Sequence, residues 1–385
     1  KLNKFSFGFN FQSSNSFNNE ILISGTNDSS IDRFFLNNAS GLNPSDISVN
    51  NNESISSVYR WLGNNYGYYA QQAFLGYQSY LLNYDDDSKS FYSLAKYDNG
   101  LSIKNEVFSS GNKSKASLNL SGLFNKNLYF GFNINIYETN INKEIIHSED
   151  NFDSDSIVRF INFNNYLQTS GIGFSLQAGL IYKISNLRLG LSYESPNWFN
   201  FEDQLEQEIE VQSFDSNNEE LYVDIVDPRI VNIYEYNYRT PSKLTFSAAT
   251  VIRNMLILSF DLENINYSKS KFSSADNTVY NNLNLAINRN LSSLYNIRFG
   301  SELRINKFSI RGGFKQSNNP YDKSTIKLSS KSFGIGYEFQ KAILDIGFSI
   351  NDIKSEYQLF DTGLVNLAQI NNSQLITVIS YNIIF

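Results

Sequence analysis

Apolar residues alternate with polar residues or glycine over long stretches of this sequence. In FSFGFNF, every second residue from Phe5 to Phe11 is a phenylalanine, and serine, glycine and asparagine stand between them. A period of two puts one kind of residue on each face of a β-strand, so the pattern predicts strands with one apolar and one polar face. The same alternation recurs in FGFNINIY (130–137), LRLGLSYE (187–194) and LDIGFSIN (344–351).

The connections between these stretches alternate between very short and long. A soluble antiparallel sandwich also has apolar faces, but its strands usually run about 5 or 6 residues, whereas these patterns last about 10 to 16. Long strands with short turns on one side and long loops on the other are typical of an outer-membrane barrel, whose apolar face meets lipid. Tight turns are predicted at Asn125-Lys126, Ser185-Asn186, Arg253-Asn254, Asn306-Lys307 and Gln340-Lys341.

The sequence therefore predicts an all-β fold, a transmembrane antiparallel β-barrel formed as one domain by residues 1–385. Both chain ends lie on the short-turn side, so the tight turns are expected to be periplasmic and the long loops extracellular. Residues 13–109 are predicted to form a large extracellular loop with helical segments. Twelve strands are predicted, at residues 3–12, 110–125, 127–142, 168–184, 186–196, 241–252, 254–268, 292–305, 307–317, 327–340, 341–356 and 374–385.

Composition argues against several functional classes. The 385 residues include no cysteine and one histidine, which leaves no thiol nucleophile and no histidine-rich metal site. We therefore expect neither an enzyme nor a cofactor or bound metal. The net charge of −7, without a cluster of lysines and arginines, disfavours a nucleic-acid partner. No run of 18 apolar residues is present, so no transmembrane helix is predicted.

Several charged residues fall on the polar, lumen-facing side of the strands. Pairing across the turn at residues 306–307 places Glu302 opposite Arg311, and Arg298 opposite Lys315. One interpretation is a structural network of ion pairs. The other is a site in which Arg298, Arg311 and Lys315 bind an anionic head group, because guanidinium groups pair well with carboxylates.

The first long loop carries two helical signals. In SSIDRFFLNNASGLNP, serine and aspartate can cap the start of a helix, and the helix is predicted to stop at Gly41, before Pro44. The segment ESISSVYRWLGNNYGYYAQQAFLGYQSYLLNYDDD follows it and is rich in aromatic residues. The two segments either pack on each other as a small core or form a groove for an apolar ligand. The candidate ligand-binding residues of such a groove are Trp61, Tyr66, Tyr69, Phe74 and Tyr77.

Two further stretches, residues 143–167 and 197–240, are acidic and are predicted to be long loops. Their acidic residues lack the spacing of a calcium-binding loop, so a solvated rim is the expected arrangement, with bridging by divalent cations from the solvent left open. The single histidine, His147, falls in the first of these stretches and is expected to be solvated at the surface.

Five segments of the sequence form a spaced series of motifs. They are SIDRFFLNNASGLNP (30–44), SGIGFSLQAGLIYKISNLRLGLSYESPNWF (170–199), YRTPSKLTFSAATVIRNMLILSFDLENINYS (238–268), NIRFGSELRINKFSIRGGFKQSNNPY (296–321) and FGIGYEFQKAILDIGFS (333–349). Together they resemble the FadL-type family of outer-membrane transport proteins, in its Bacteroidota-like branch.

The resemblance implies a 14-stranded barrel that carries long-chain fatty acids or other hydrophobic compounds across the outer membrane. It also implies an extracellular groove that captures the ligand, a luminal pocket that holds it and a lateral opening that releases it. The sequence departs from the family pattern at its start, because no Asn-Pro-Ala hatch motif precedes Phe5 and two strands fewer are predicted.

We therefore expect an outer-membrane protein that takes up long-chain fatty acids or other hydrophobic compounds by passive, ligand-gated diffusion. The alternative is a structural or accessory barrel of a larger outer-membrane secretion or assembly complex. A general porin fits less well, because a barrel of this size favours a plugged or narrow lumen. The expected partners are membrane lipid, hydrophobic small molecules such as fatty acids, the barrel-assembly machinery during biogenesis and, in the alternative, other outer-membrane proteins.

The last strand predicts how the chain is assembled. Its outward-facing residues Tyr381, Ile383 and Phe385 are predicted to be the C-terminal signal that the assembly machinery recognises. An unpaired strand edge in lipid is costly, so this strand needs a partner. Residues 3–12 are the candidate partner within this chain, whereas the family resemblance implies a strand before Lys1.

Overall fold

The computed structural model describes residues 2–214, 221–276, 278–320, 327–357, 359 and 368–383. No helix in these described ranges is long and apolar enough to cross a membrane. The helices are α1 Asp32–Ala39, α2 Ile55–Asn65, α3 Tyr68–Gln78 and α4 Asn281–Asn290. The strands are β1 Leu2–Ser16, β2 Asn19–Asn27, β3 Leu82–Asp85, β4 Ser90–Ser93, β5 Leu101–Phe124, β6 Leu128–Asp150, β7 Val158–Ile184, β8 Leu187–Glu194, β9 Trp198–Phe214, β10 Leu221–Val226, β11 Asn232–Arg239, β12 Lys243–Ile252, β13 Leu256–Asn266, β14 Lys271–Ser273, β15 Ser293–Ile305, β16 Phe308–Asn318, β17 Lys327–Glu338, β18 Ala342–Tyr357 and β19 Ala368–Ile383.

All strands except β3 and β4 belong to one antiparallel sheet. Following its pairings from one edge to the other gives the order β1, β5, β6, β7, β8, β12, β13, β15, β16, β17, β18 and β19. These are the twelve strands that the sequence predicts, and the all-β class with one large antiparallel sheet is confirmed. Among the described residues β1 pairs with β5 alone and β19 with β18 alone, so the candidate pairing of residues 3–12 with the last strand is not made.

The sheet extends well beyond the length that a membrane requires. A spanning strand takes about 9–11 residues, whereas β5, β6 and β7 have 24, 23 and 27 residues. Residues 158–174 of β7 pair with β9, and β9 in turn pairs with β10 and β11. The prediction that residues 143–167 and 197–240 are loops is therefore wrong. Their acidic residues alternate with apolar ones, and the apolar side is covered by helices rather than by lipid.

The edge beside β5 changes strand at Gly111. Residues 112–124 of β5 pair with β1, in the part that we call the lower sheet. Residues 101–109 of β5 pair with β2, in the part that we call the upper sheet. Gly111 has a φ of +123°, and a Cβ there would lie 2.1 Å from the carbonyl oxygen of Asn140. The N–H of Phe17 donates to the carbonyl oxygen of Gly111 at 3.0 Å. Only glycine adopts this conformation without strain, so the change of partner strand from β1 to β2 depends on it.

The lower sheet has the face pattern that the sequence predicts. On β1 the four phenylalanines at positions 5, 7, 9 and 11 are 61–68% exposed, as expected for a surface that meets lipid. The tight turns occur where they are predicted, and the backbone has positive φ at Asn125, Ser185, Arg253 and Asn306. On β19, Tyr381 and Ile383 are exposed, whereas Phe385 lies outside the described residues.

Helices α1, α2 and α3 pack together on one face of the upper sheet, which we call the inner face. Their buried core includes Phe35 and Phe74 from the helices and Phe163 from β7. The rings of Phe35 and Phe163 lie 5.1 Å apart, in an edge-to-face arrangement. We call this helical group, residues 31–82, the helical module. Within residues 13–109, β2 and the first part of β5 join the sheet, and the module lies between them.

Candidate functional site

Aromatic side chains form two neighbouring rows across the inner face, below the helical module. Strand register aligns Tyr137, Phe199, Tyr238 and Phe272 in one row, with a glycine at the β7 position. The next row holds Phe201 and Tyr236, and Tyr280 packs against it from the segment before α4. We call this set the aromatic band: Tyr137, Phe199, Phe201, Tyr236, Tyr238, Phe272 and Tyr280.

The rings of the band form a continuous chain of contacts. Ring centroids are 5.7 Å apart for Tyr137 and Phe199, and 5.1 Å apart for Phe199 and Phe201, which are stacked. The chain continues from Phe201 to Tyr236 at 5.6 Å, and from Tyr236 to Phe272 at 5.7 Å. These spacings fall in the range of about 4.5–7 Å in which aromatic pairs attract each other. The rings therefore form one connected apolar row, in which Tyr137 and Phe199 are buried and the other members are partly exposed.

Two glycines on β7 make room for the band. A Cβ on Gly171 would lie 2.3 Å from Cδ1 of Phe201, and a Cβ on Gly173 would lie 2.4 Å from Cδ1 of Phe199. The two phenyl rings thus lie directly over the backbone of β7. A side chain at either glycine would push a ring out of its row, so these positions fix the shape of the band.

A basic group lies at one end of the band. Lys113 Nζ is 4.7 Å from the ring centroid of Tyr137 and 4.5 Å from that of Phe199. Lys115 Nζ is 6.0 Å from the Tyr137 ring. Lys243 also lies close enough to Lys113 to interact with its charge, and it pairs with Glu194 at 3.6 Å. Three ammonium groups around one carboxylate give this end of the band a positive charge.

A cavity lies on the outer face of the same strands, behind the band. Its volume is about 1030 Å³, and Phe201 and Tyr236 contribute to its lining. Glu138, Glu202 and Glu235 also line it. Glu138, Glu202 and Glu235 alternate with band residues along their strands and so belong to the outer face, not to the band. On the inner face the row of rings ends at the lysines, which suits an elongated, mainly apolar molecule whose polar group points toward Lys113.

The helical module is fixed above the band by buried amide hydrogen bonds. Gln72 Nε2 donates to Gln207 Oε1 at 2.7 Å, and Gln207 Nε2 donates to Asn165 Oδ1 at 2.6 Å. The Tyr59 hydroxyl donates to the same Gln207 Oε1 at 3.1 Å. Burial raises the pKa of the Tyr59 phenol, so it stays protonated and keeps this donor.

A buried carboxylate holds the start of α1. Glu149 accepts hydrogen bonds from the Ser30 hydroxyl and from the Ile31 N–H, the latter at 2.8 Å. His147 Nε2 lies 2.9 Å from the same carboxylate, and the imidazole is 1% exposed. The expectation that His147 is solvated is therefore wrong. It sits on an inward-facing position of β6, which the loop assignment of residues 143–167 concealed.

The aromatic residues predicted to bind ligand are divided between the surface and the core of the module. Trp61 and Tyr66 are exposed with ring centroids 5.5 Å apart, and Tyr69 is exposed nearby in sequence. Phe74 is fully buried, and Tyr77 packs against the same core. The two helical segments therefore do form a core together, which was one of the two interpretations. A groove at Trp61, Tyr66 and Tyr69 stays a prediction.

The basic residues predicted to bind an anion are mostly paired with carboxylates. The register is as predicted, with Glu302 opposite Arg311 and Arg298 opposite Lys315. Arg298 contacts Glu263 at 2.9 Å, and Arg311 contacts Glu302 at 3.0 Å and also Asp345. This geometry favours the structural network over the anion site for the two arginines. Lys315 is exposed and has no ion pair within the described ranges.

The aromatic band is absent from the sequence-based predictions. Four of its members lie in residues 197–240, where the acidic residues favoured a loop. In FNFEDQLEQEIEV (199–211) every apolar residue stands at an odd position, namely Phe199, Phe201, Leu205, Ile209 and Val211. This alternation is the signal that identifies the strand. No group of three or more histidines, aspartates or glutamates in the described chain is placed to hold a metal ion.

Several solved structures are similar to this chain. A Pseudomonas aeruginosa FadL homologue is 11% identical over 74% of each chain, with a TM-score of 0.49. The toluene transporters TodX of Pseudomonas putida and TbuX of Ralstonia pickettii are each 14% identical, over 76% and 74% of this chain and 74% and 78% of theirs, with TM-scores of 0.44 and 0.39. The similar structures are of the FadL type. No family model and no curated protein sequence matches the chain. These TM-scores lie below 0.5, so the likeness carries no information about the ligand of this chain.

Proposed function

We propose that the protein is an outer-membrane channel for the passive uptake of hydrophobic compounds, with the aromatic band as its ligand-binding surface. The observation that supports this most is the connected chain of rings on the inner face, in which Phe199 and Phe201 lie 5.1 Å apart. An apolar ligand that leaves water for such a surface gains about 0.8 kcal/mol per buried CH₂ group. No energy source is needed, because the ligand moves down its own gradient.

Within this class, long-chain fatty acids are the proposed ligands. The acyl chain would lie along the rings, and the carboxylate would pair with Lys113 and Lys115 at the basic end. Lys113 Nζ lies above the rings of Tyr137 and Phe199, so the head group and the chain would bind next to each other. The arginines Arg298 and Arg311 lie on β15 and β16, which contribute no residue to the band, and are weaker candidates for the head group.

The helical module is the proposed gate. It covers the inner face of the upper sheet, above the band, so a ligand from outside reaches the rings only by passing it. The exposed rings of Trp61, Tyr66 and Tyr69 are the proposed first contact for the ligand. Because buried amide hydrogen bonds of Gln72 and Gln207 hold the module in place, ligand binding must displace or shift it before passage.

The proposal is tested by uptake of labelled oleate in cells that carry this protein as their only channel of the kind. Replacing Phe201 and Tyr236 together by alanine removes the centre of the band, and we expect oleate uptake to fall at least tenfold. The matched control replaces Phe246 and Phe348, two exposed phenylalanines of the lipid-facing side, and should leave uptake unchanged.

The head-group assignment has its own test. Lys113→Met should lower oleate uptake and leave toluene uptake unchanged, because toluene has no carboxylate. Lys183→Met, a lysine near a tight turn of the same sheet, is the control. Wild-type oleate uptake in the Phe201 and Tyr236 double variant would contradict the channel proposal. Stable co-purification with other envelope proteins would then favour the accessory-subunit alternative.

A further inference from the structure

A polar cleft lies between the helical module and the segment that leads into β11. Its volume is about 620 Å³, a size suited to a small ligand. None of its residues belongs to the aromatic band. We call it the rim cleft, and the lining residues used below are Arg60, Asn64, Tyr68, Gln71, Arg229 and Asn232.

The cleft contains a buried hydrogen-bond acceptor without a donor. Gln71 is 1% exposed, and its Nε2 donates to the carbonyl oxygen of Tyr59 and to Asn232 Oδ1, both at 3.0 Å. Its Oε1 has no hydrogen-bond partner among the described residues. Buried amide oxygens in native proteins are nearly always paired, so this oxygen is placed to accept a hydrogen bond from a bound molecule.

The position of this amide depends on a glycine within α2. A Cβ on Gly63 would lie 2.5 Å from Gln71 Nε2. Glycine inside a helix is less favourable than alanine. At this position it gives the Gln71 side chain the space to lie against α2 with its amide at the cleft.

Cationic and amide groups line the rest of the cleft. Arg60 and Asn64 are four residues apart on α2 and so project from the same face of the helix. Arg60 is exposed and has no ion pair with a described residue, whereas Arg229 pairs with Asp227 at 3.1 Å. Asn64 and Asn232 supply amides that both donate and accept.

We propose that the rim cleft binds acidic saccharides. Sugar hydroxyls would donate to Gln71 Oε1 and accept from Asn64, and the flat C–H face of a sugar ring would pack on Tyr68. A carboxylate or phosphate group on the saccharide would pair with Arg60. Sugars of an outer-leaflet glycolipid and of a soluble acidic polysaccharide share this chemistry. The site is separate from the band and does not depend on the proposed transport function.

The test uses the full chain in detergent and isothermal titration calorimetry with trigalacturonate as the acidic probe. Maltotriose is the neutral probe of matched length. We expect saturable binding of trigalacturonate and at least tenfold weaker binding of maltotriose. Equal binding of the two probes, or no binding of trigalacturonate, would overturn the proposal. Competition by purified lipopolysaccharide separates the two sources, because it displaces trigalacturonate only if the membrane sugars bind the same cleft.

Two variants locate the binding. Arg60→Gln changes an exposed side chain, so it leaves the fold intact and should weaken trigalacturonate at least tenfold. Arg289→Gln, at an exposed position of α4, is the matched control and should bind as the wild type does. Gln71→Met removes the buried acceptor at nearly constant volume and should weaken both probes. Unchanged trigalacturonate affinity in Arg60→Gln would refute the assignment, and unchanged oleate uptake in the same variant would keep the two sites distinct.

Discussion

His147 Nε2 and Glu149 Oε1 lie 2.9 Å apart, and neither side chain reaches solvent. The two residues occupy successive inward positions of β6, and Glu149 also accepts hydrogen bonds from Ser30 and Ile31. The start of α1 is thus tied to the sheet through one carboxylate. A residue pair on β6 therefore determines how firmly the helical module is held over the aromatic band.

Glu149→Gln should loosen the helical module and leave the sheet folded. The amide keeps one acceptor oxygen and carries N–H donors in place of the other, so it can no longer accept from both Ser30 and Ile31, and the lost buried hydrogen bond costs about 1–3 kcal/mol. Hydrogen exchange of the α1 amides should speed up accordingly, while the amides of β15 and β16 stay protected. Glu144→Gln, at an exposed position of the same strand, is the control, and equal exchange in both variants would contradict the expectation.

Gly111→Ala should destabilise the whole barrel. The residue has a φ of +123°, a backbone conformation that costs a residue other than glycine about 1–3 kcal/mol. A Cβ would also lie 2.1 Å from the Asn140 carbonyl oxygen, so we expect the free energy of unfolding to fall by more than the backbone strain alone. Gly25→Ala is the control, because no atom lies within 4 Å of a Cβ there. Urea unfolding followed by heat-modifiable gel mobility measures the difference. Similar midpoints for the two variants would show that the bend tolerates a side chain.

The sequence specifies the lower sheet well because its strands keep a strict period of two, with one apolar face and one polar face. The register of the β15–β16 hairpin follows from its two-residue turn, and the opposition of Glu302 and Arg311 is confirmed. The upper sheet has the same period, but its outer face meets water and its inner face meets helices. Acidic residues therefore fill the outer positions of β9, and the strand resembles a loop.

The candidate site was harder to predict for a related reason. The aromatic band joins residues of β6, β9, β11 and β14, and those neighbours are known only once the pairings of the upper sheet are known. The glycines Gly171 and Gly173 gave no sign of their role, because a ring over a glycine is a contact between strands. The aromatic residues of α2 and α3 were visible in the sequence, but burial of Phe74 and exposure of Trp61 depend on how the helices dock.

Asp32→Asn should stabilise the helical module at neutral pH. Asp32 is buried at the start of α1, and burial raises the pKa of its carboxyl above 3.8. The folded state therefore binds the proton more tightly, so the stabilisation from this group is complete below about pH 3.8 and is lost as the pH rises through the raised pKa. At pH 7 the buried carboxylate is a cost that asparagine lacks.

The measurement is hydrogen exchange of α1 amides at pH 4 and pH 7, corrected for the intrinsic exchange rate. Protection in Asp32→Asn should exceed that of the wild type by more at pH 7 than at pH 4. Asp86→Asn, at an exposed position between β3 and β4, is the control and should show no such difference. A gain of the same size at both pH values would show that ionisation of Asp32 is not its cause, and a loss at pH 7 would show that the Tyr97 hydrogen bond to Asp32, at 3.0 Å, outweighs the cost of burying the charge.

Arg311→Met should lower stability without affecting ligand uptake. Arg311 contacts Glu302 of β15 at 3.0 Å and also Asp345 of β18, so methionine leaves two carboxylates without the cation between them. The groups are partly exposed, and solvent screening limits the expected loss to about 1 kcal/mol. Adding Glu302→Gln and Asp345→Asn should restore most of it, because the repulsion then disappears. Lys315→Met, which breaks no ion pair among the described residues, is the control. If oleate uptake instead fell in both Arg311→Met and Lys315→Met, the carboxylate would bind at these residues and not at Lys113.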